Sequence, residues 1–397
     1  MVVSVSRFFQ RLVFILGVAV LVTLSLGTGL GLLGFMGVHA GGDQDGAYRQ
    51  MNVYAQVLKR IQSDYVTEPN INDVTTGALH GLLESLDADS SYLTPIEYRI
   101  YKARPSGLAQ IGITVSKRGG YAAVVDVIPG SPADHEHIAS GDIIESIGDN
   151  STFQMSLAVA RMMLEGKPGT TVTLTMVRPR RQDPDKITLT RALVPIPPIN
   201  YQQYENSSIL YIKPGTLTSD RLDEVAARIK AAKPKKILLD LRDTSGGESA
   251  DGIRLANFFI QSGTLAQLEG QRFPKQVFAA DPAHFITSAP VVVLVNRGTY
   301  GAAELTAAAI QDSKRGDIVG ERTFGEGSMQ KTMELPDGAA LFLTVAKYQG
   351  PAGKKIQDEA ITPNHQVASA AEDEDNEGAA KGDPVLDKGL ELLKAKS

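Results

Sequence analysis

The stretch that decides the fold runs from residue 291 to residue 330 and reads VVVLVNRGTYGAAELTAAAIQDSKRGDIVGERTFGEGSMQ. It opens on a β-branched run at 291–295, which predicts a buried strand, and a glycine-containing turn follows. Residues 302–311 are rich in alanine, so they predict a helix directly after the turn. A buried strand that turns sharply into a helix is the usual platform for a nucleophile, because it places one residue beside the unpaired N–H groups of the helix start. A second predicted strand, at 317–320, leads into TFGEGSMQ.

Both halves of this stretch resemble the signature of the C-terminal processing, or tail-specific, peptidases of family S41. The family pattern is roughly G-[ST]-A-S-A-S-E, then a helix ending in Q-D, then G-E-x-T-F-G-K-G-x-x-Q. The matching positions are Gly298, Thr299, Glu304, Gln311, Asp312, Gly320, Glu321, Thr323, Phe324, Gly325, Gly327 and Gln330. No gap is needed between the halves, so the register is fixed. The resemblance implies a serine-type endopeptidase with a ClpP- or crotonase-like core.

In this register both chemical groups of the family's Ser/Lys dyad are missing. Gly301 stands in the serine position and Glu326 stands in the lysine position. A peptidase of this kind needs a hydroxyl that attacks the carbonyl and a neutral amine that takes its proton. Loss of the nucleophile alone lowers the rate by on the order of a million-fold. The sequence therefore predicts a catalytically deficient homologue, or pseudopeptidase.

Two other chemistries stay open at these positions. In the first, Thr299, Ser328 or Lys331 would replace a member of the dyad out of register. In the second, Glu326 and Gln330 would act as the Glu/Gln pair of glutamic peptidases does, with the carboxylate activating water directly. The alignment itself places no hydroxyl beside Glu326.

Residues 193–367 are predicted to form the core domain, because strands alternate there with helices. Such an alternation implies a sheet with parallel members, and ligands bind at the carboxyl ends of parallel strands. Three loops meet this description: 243–247, 298–301 and 324–330. The first loop resembles the family segment D-L-R-x-N-x-G-G, which implies that Gly246 and Gly247 provide the oxyanion contact. Their spacing alone would favour a plain tight turn.

Residues 107–192 resemble a PDZ domain, since 141–149 reads GDIIESIGD and matches G-D-x-I-x-x-I-x-[GD]. PDZ domains take an extended C-terminal peptide as an added strand between an edge strand and a helix, with the carboxylate on backbone N–H groups of the preceding loop. That loop is predicted at 108–112. The predicted peptide-binding residues are Ile111, Gly112, Ile113, Val159 and Met163. The alternative is a small β-domain that only spaces its neighbours.

The N-terminus carries a long apolar segment. Residues 12–38 contain no charge, and Arg7 and Arg11 precede them. About 20 residues suffice to cross a bilayer, so this segment predicts one transmembrane helix. The positive-inside rule then places residues 1–11 in the cytoplasm and the body of the protein outside it, on the periplasmic side. The alternative is a cleaved signal, which would give a secreted protein.

The remaining segments complete an α+β, multidomain organisation. Amphipathic helical patterns at 47–106 predict a helical cap of the kind that the family carries. Residues 368–383 are acidic and rich in Ala and Gly, which predicts a disordered linker. Residues 384–397 predict a short C-terminal helix.

Composition limits the cofactors and partners. The net charge of −5 does not favour a nucleic-acid partner, and the chain has no cysteine for thiol chemistry or thiolate metal sites. The 6 histidines show no metal-ligand spacing, so we expect neither a metal nor another cofactor. The expected partners are protein C-terminal tails or unfolded polypeptides, and the membrane. A scaffold for a partner protease is a further alternative, and the sequence leaves open whether the protein is a homo-oligomer.

Overall fold

The computed structural model describes residues 42–105, 107–153, 155–178, 183–369 and 382–396. The predicted cytoplasmic N-terminus at 1–11 and the predicted anchor or signal at 12–38 lie outside the described residues. So does most of the predicted acidic linker at 368–383. Within the described part of the chain, no helix combines the length and the apolar character that a bilayer crossing requires.

The described residues form helices and strands in alternating groups. The helices are α1 (Gly42–Asp64), α2 (Ile71–Glu84), α3 (Pro95–Ala103), α4 (Pro132–His135), α5 (Leu157–Leu164), α6 (Ser219–Ala232), α7 (Ser249–Asn257), α8 (Ala302–Asp312) and α9 (Pro384–Ala395). The strands up to the core are β1 (Ser91–Leu93), β2 (Ile113–Arg118), β3 (Tyr121–Val127), β4 (Ile143–Ile147), β5 (Asn150–Ser151), β6 (Thr171–Val177) and β7 (Asp185–Thr190). Those of the core are β8 (Asn200–Tyr204), β9 (Ile209–Lys213), β10 (Lys236–Asp240), β11 (Thr264–Glu269), β12 (Gln276–Ala279), β13 (Val291–Val295), β14 (Gly316–Gly320), β15 (Ser328–Glu334), β16 (Ala340–Gln349) and β17 (His365–Gln366).

Helix α1 belongs to the first of two compact units, which ends at residue 75. Its apolar side chains recur at helical spacing, as the sequence predicts. Tyr48, Met51 and Val57 on this helix are exposed.

The PDZ region is a small antiparallel sheet in the order β2-β3-β4-β6-β7, with β5 paired to β4. Its core is aliphatic and includes Val124, Ile144 and Leu174, together with Leu157 of helix α5. Strand β2 lies at an edge of this sheet, and α5 packs beside it. An edge strand with a neighbouring helix is what addition of a peptide strand requires.

The central sheet has the order β17-β14-β13-β10-β9-β8. Strands β9, β10, β13, β14 and β17 run parallel, and β8 is antiparallel to β9. This confirms the prediction of a partly parallel sheet. Every residue of β13 is buried because helices cover both faces. Helices α6, α7 and α8 pack on one face, and the C-terminal helix α9 packs on the other.

A second, antiparallel sheet has the order β1-β16-β11-β12, with β15 paired to β16. Strand β1 comes from the segment that follows α2, so this sheet joins distant parts of the chain. It brings the turn before β1 to the strand that starts at Ser328. The candidate site forms where this sheet meets the carboxyl ends of β10 and β13.

Candidate functional site

Three loops meet at the carboxyl ends of the central strands. Thr244 and Thr299 form an isolated parallel bridge, and the Tyr300 N–H donates to the Thr244 carbonyl at 3.1 Å. The Phe324 N–H donates to the Thr299 carbonyl, also at 3.1 Å. Backbone hydrogen bonds therefore join the loops 243–247, 298–301 and 324–330, and we call this group the three-loop site.

Gly301 begins helix α8 in an unusual backbone conformation, with φ 57° and ψ −110°. A positive φ at such a ψ is costly for an L-residue with a side chain, and it is found where strain serves a site. The sharp strand-to-helix turn that presents a nucleophile is one such place. A Cβ built on Gly301 meets no atom within 4 Å. The turn at the predicted serine position therefore has space for a side chain, but it has no hydroxyl.

Glu304 ties this turn to the loop that carries the lysine position. Its side chain is fully buried. It accepts hydrogen bonds from the N–H of Gly301 at 3.1 Å, and from those of Gly325 and Glu326, both at 2.7 Å. The hydroxyl of Thr323 is a fourth donor. Burial raises the pKa of Glu304 to about 7, and the four donors oppose that rise.

Glu326 has a hydroxyl beside it, although the alignment places none there. Its Oε1 accepts from the Ser328 hydroxyl at 2.6 Å and from the Ser328 N–H at 3.0 Å. In the family pattern, the hydroxyl that partners the lysine position is the one at position 301, and that hydroxyl is missing here. The chain turns back at Gly327 into β15, and this turn brings Ser328 onto the carboxyl.

A second buried carboxyl, that of Asp89, lies against Glu326. Asp89 Oδ2 receives no hydrogen bond from any donor group among the described residues. Burial first, and then the negative Asp89, raises the pKa of Glu326 to about 8. At neutral pH the Glu326 carboxyl therefore keeps its proton, which it can donate to the carboxyl beside it. Asp89 lies in the predicted helical cap at 47–106, and the sequence predicts no site residue there.

Arg161 and Tyr300 complete the surroundings of the two carboxyls. Arg161 Nη2, on the PDZ helix α5, lies 3.9 Å from Asp89 Oδ1 and donates to the Val115 carbonyl at 3.1 Å. Burial, and then the negative charges of Glu326 and Asp89, raises the pKa of Tyr300 well above its ordinary value. Tyr300 is thus a neutral phenol at physiological pH.

The other candidate residues have different surroundings. The buried Thr299 hydroxyl donates to the Leu241 carbonyl at 2.8 Å and accepts from the Asn296 N–H at 3.0 Å. These bonds give it a structural role and count against it as a replacement nucleophile. Lys331 is exposed on β15. Gln330 Nε2 donates to Ser328 Oγ at 3.3 Å, so Ser328 stands between Gln330 and the Glu326 carboxyl.

The predicted oxyanion glycines lie in the tight turn after β10. Gly247 has φ 118°, and a Cβ there would lie 2.7 Å from the Leu217 carbonyl oxygen. Glycine is therefore required at this position. The N–H groups of Gly246 and Gly247 donate to no acceptor in the part of the chain that the structure describes. Both N–H groups remain available to a ligand oxygen.

A contact from the PDZ domain holds this same turn. The Ser245 hydroxyl donates to Asp126 Oδ2 at 2.6 Å and lies 2.8 Å from Thr114 Oγ1. Burial raises the pKa of Asp126 to about 6, and the bond from Ser245 opposes the rise. This contact between the PDZ strands and the core is not predicted by the sequence.

A cleft of about 1110 Å³ lies between the PDZ strands and the core. Ile113 and Thr114 of the edge strand line it on the PDZ side, and Gly246 lines it on the core side. The proline-rich segment 194–198 forms a further part of its wall. The cleft thus connects the strand that would receive a peptide with the predicted oxyanion turn.

The predicted peptide-binding residues of the PDZ domain differ in their burial and in the residues that they contact. Ile111 is buried in the PDZ core, and Ile113 and Met163 pack partly against that core. Gly112 has φ 85°, and a Cβ there would collide with Ser131. Val159 packs instead against the cluster around Leu93, a contact with the second sheet that the sequence did not predict.

The carboxylate-binding loop is partly occupied by the protein's own backbone. The N–H groups of Ala109 and Gln110 donate to the carbonyls of Gly166 and Ala192, both at 2.9 Å. Those of Ile111 and the following glycine have no acceptor among the described residues. Two donors therefore remain for a terminal carboxylate.

These features define a class of protein: a PDZ domain joined to a serine-peptidase-like α/β core. Comparison with protein-family models agrees with this class, since Peptidase family S41 matches residues 199–367 and the PDZ domain model matches 109–190.

Sequence comparison finds carboxy-terminal processing proteases among the relatives. The chain is 31% identical over 319 residues to the chloroplastic carboxyl-terminal-processing peptidase 2 of Arabidopsis thaliana, covering 75% of this chain and 61% of that protein. It is 31% identical over 299 residues to the carboxyl-terminal-processing protease of a Picosynechococcus species, covering 73% of this chain and 72% of that one. It is 30% identical over 313 residues to the carboxy-terminal processing protease CtpA of Bacillus subtilis, covering 78% and 67%. The chain belongs to peptidase family S41.

A solved structure shares the fold. The photosystem II D1 C-terminal processing protease superposes with a TM-score of 0.66 at 24% identity, over 79% of this chain and 92% of that one.

Proposed function

We propose that this chain is a family S41 member that binds protein C-terminal tails or unfolded polypeptides and has lost the Ser/Lys reaction. The observation that carries the proposal is Gly301. Its turn keeps the backbone conformation and the side-chain space of a nucleophile position, yet it has no hydroxyl. Glu326 likewise puts a carboxyl where the family pattern has the amine. Without these two groups, the family's way of attacking a peptide carbonyl is lost.

Three features support polypeptide binding. The edge strand β2 can accept an added strand, and the cleft leads from it to the free N–H groups of Gly246 and Gly247. Backbone donors at Ile111 and Gly112 are free to take a terminal carboxylate. None of these features needs the Ser/Lys dyad.

Calorimetric titration with a hydrophobic peptide tests the binding. The peptide is used with a free C-terminal carboxylate and, as its matched control, as the C-terminal amide. We expect the free acid to bind more tightly than about 1 mM, or about 4 kcal/mol, and the amide to bind more weakly. The variant Ile113→Arg should lose binding while Val277→Arg, on the exposed strand β12, keeps it. The proposal would be contradicted if the wild type and both variants bound the free acid and the amide with equal affinity, or if the wild type did not bind the free acid near 1 mM.

Restoring the dyad tests the second half of the proposal. The double variant Gly301→Ser, Glu326→Lys should cleave an unfolded, casein-like substrate at least about a hundredfold faster than either single variant, since a nucleophile and its base act together. Cleavage is followed by mass spectrometry of the products. A double variant that folds, binds the substrate and still does not cleave it would show that more than the dyad has been lost.

We also propose that the body lies outside the cytoplasm, attached to the membrane through residues 12–38. The uncharged segment after two arginines supports this. After expression of the full chain, the protein should stay with membranes during alkaline extraction and should be open to protease added from the periplasmic side. N-terminal sequencing that finds residues 1–40 removed would support secretion after cleavage instead.

A further inference from the structure

Three oxygen-bearing side chains form a connected chain at the lysine position. Ser328 Oγ donates to Glu326 Oε1 at 2.6 Å, and the Asp89 carboxyl lies against the same glutamate. Asp89 is buried, and its Oδ2 has no other donor among the residues described. A hydroxyl, a base within hydrogen-bond reach and a third group behind the base are the parts that activate a nucleophile in covalent hydrolases.

We propose that Ser328 is a nucleophile activated by the Glu326–Asp89 pair, so that the pocket hydrolyses bound polypeptide by a route that does not use position 301. The inference goes beyond the proposed function, because it adds a reaction to binding. Tail binding stands whether or not Ser328 reacts.

The proton balance of the first step follows from the proton on Glu326. Ser328 Oγ attacks the peptide carbonyl carbon while its proton passes to Glu326 Oε1. The proton already on Glu326 passes to Asp89 Oδ2, so the negative charge moves from Asp89 to the former carbonyl oxygen. The proton transfers then run in reverse. Glu326 gives a proton to the leaving nitrogen as the C–N bond breaks, and Asp89 returns its proton to Glu326. This leaves an ester on Ser328 and a free amine.

Water completes the cycle through the same groups. A water oxygen attacks the ester carbonyl, and one of its protons passes to Glu326 while the proton on Glu326 passes to Asp89. Collapse of the intermediate returns a proton to Ser328 Oγ and releases the new carboxylic acid. The sum of both steps is peptide plus water giving acid plus amine. No other reactant is needed.

The local environment supports this relay. Both carboxyls are buried, and there a hydrogen-bonded chain is stronger than in water. Burial raises the pKa of Glu326 to about 8, so Glu326 carries the proton that the relay passes on to Asp89. Gln330 Nε2 donates to Ser328 Oγ at 3.3 Å, which holds the hydroxyl in place beside the glutamate.

A purely structural role would use the same hydrogen bond. Glu326 Oε1 also accepts the Ser328 N–H at 3.0 Å, as it would in a simple turn. The two roles differ in what Ser328→Ala changes. Alanine keeps the N–H bond and therefore the turn, but it removes the hydroxyl oxygen that is proposed to attack.

Active-site labelling separates the two roles directly. The full-length protein is treated with a fluorophosphonate probe, which reacts with activated serine hydroxyls, and the labelled peptide is identified by mass spectrometry. We expect label on Ser328 in the wild type and none in Ser328→Ala. Asp89→Asn should slow labelling at least tenfold, because an amide cannot take the proton. Thr332→Val, an exposed change on the same strand, should label as the wild type does.

Cleavage of the tail peptide gives the second readout. Ser328→Ala should lower the cleavage rate at least about a hundredfold while its thermal midpoint and peptide affinity stay close to those of the wild type. A wild type that binds peptide but neither takes label nor cleaves overturns the inference and leaves the proposed function intact. Cleavage that persists unchanged in Ser328→Ala also overturns it. Labelling without peptide binding would count against the proposed function alone.

Discussion

At the scale of single residues, the site is governed by buried polar groups that must find partners. Asp89, Glu326 and Glu304 are buried carboxyls. Glu304 accepts hydrogen bonds from four donors and Glu326 accepts two from Ser328, whereas Asp89 Oδ2 has no donor among the described residues. Thr299 shows the same principle for a hydroxyl. Changes at these positions should therefore affect stability in ways that the structure specifies.

Glu326 should make stability depend on pH. Its pKa is raised to about 8 in the folded protein, against an ordinary value of 4.5. The folded chain therefore binds this proton more tightly than the unfolded chain does. The stabilisation is complete below about pH 4.5 and is lost as the pH rises toward about 8, at on the order of 1 kcal/mol per pH unit.

The variant Glu326→Gln mimics the protonated side chain and should flatten this dependence. Denaturant unfolding at pH 5 and pH 9 measures it. We expect the variant to match the wild type at pH 5 and to exceed its stability at pH 9. Parallel curves for the two proteins across this range would contradict the raised pKa of Glu326.

Thr299→Val should destabilise the protein by about 1–3 kcal/mol, because the Leu241 carbonyl and the Asn296 N–H would lose a buried partner. Denaturant unfolding measures the loss, and Thr190→Val on the exposed side of β7 is the matched control. A neutral Thr299→Val would mean that its hydroxyl is not needed structurally and would reopen its candidacy as a nucleophile.

At the scale of elements, the three-loop site depends on how α8 is joined to the loop before β15. Glu304 makes this joint, since one oxygen accepts from Thr323 and Gly325 and the other from Gly301 and Glu326. A carboxylate in the first turn of a helix also suits the helix dipole. The joint therefore sets the spacing between the predicted serine and lysine positions.

Glu304→Gln should loosen that joint, because an amide group would face two N–H donors that it cannot accept from. We expect a loss of about 2–4 kcal/mol and faster hydrogen exchange at Gly325 and Glu326. Hydrogen exchange followed by mass spectrometry measures it. Glu269→Gln on the exposed end of β11 is the control, and equal exchange in both variants would argue against the joint.

The features that could be predicted from the sequence are those set by residues close together in the chain, and the features that could not are contacts between distant segments. The alternation of strands and helices predicted the partly parallel sheet. Because loops at the carboxyl ends of parallel strands meet at one edge of the sheet, the sequence also predicted that the loops at 243–247 and 298–301 lie together. These signals are local and periodic. The meeting of Asp89 with Glu326 depends on β1 pairing with β16, a long-range register that no local pattern encodes. The packing of Val159 against the second sheet is likewise a property of how domains dock.

At the scale of the whole molecule, the PDZ domain contacts the core beside the predicted oxyanion turn. Ser245 bonds to Asp126, so the turn that carries Gly246 is held partly from the PDZ side. The same two surfaces form walls of the cleft. A change in the position of the PDZ domain relative to the core is therefore expected to alter the backbone conformation at Gly246.

Asp126→Ala should weaken this contact, leaving the Ser245 hydroxyl without its acceptor. We expect a loss of about 1–2 kcal/mol and faster hydrogen exchange in residues 243–247. Asp149→Ala, an exposed change in the same domain, should alter neither. If exchange at 243–247 stays at the wild-type rate, the turn is held by the core alone.

The proline-rich wall of the cleft has a consequence for which polypeptides can be held. Proline fixes φ, so the stretch 194–198 yields little to a bulky guest. A polypeptide that binds there as proposed would meet a wall that does not move aside, which favours an extended strand over a helix or a folded segment. Under the proposed function, how easily the C-terminus of a polypeptide unfolds would then matter more for binding than its exact sequence.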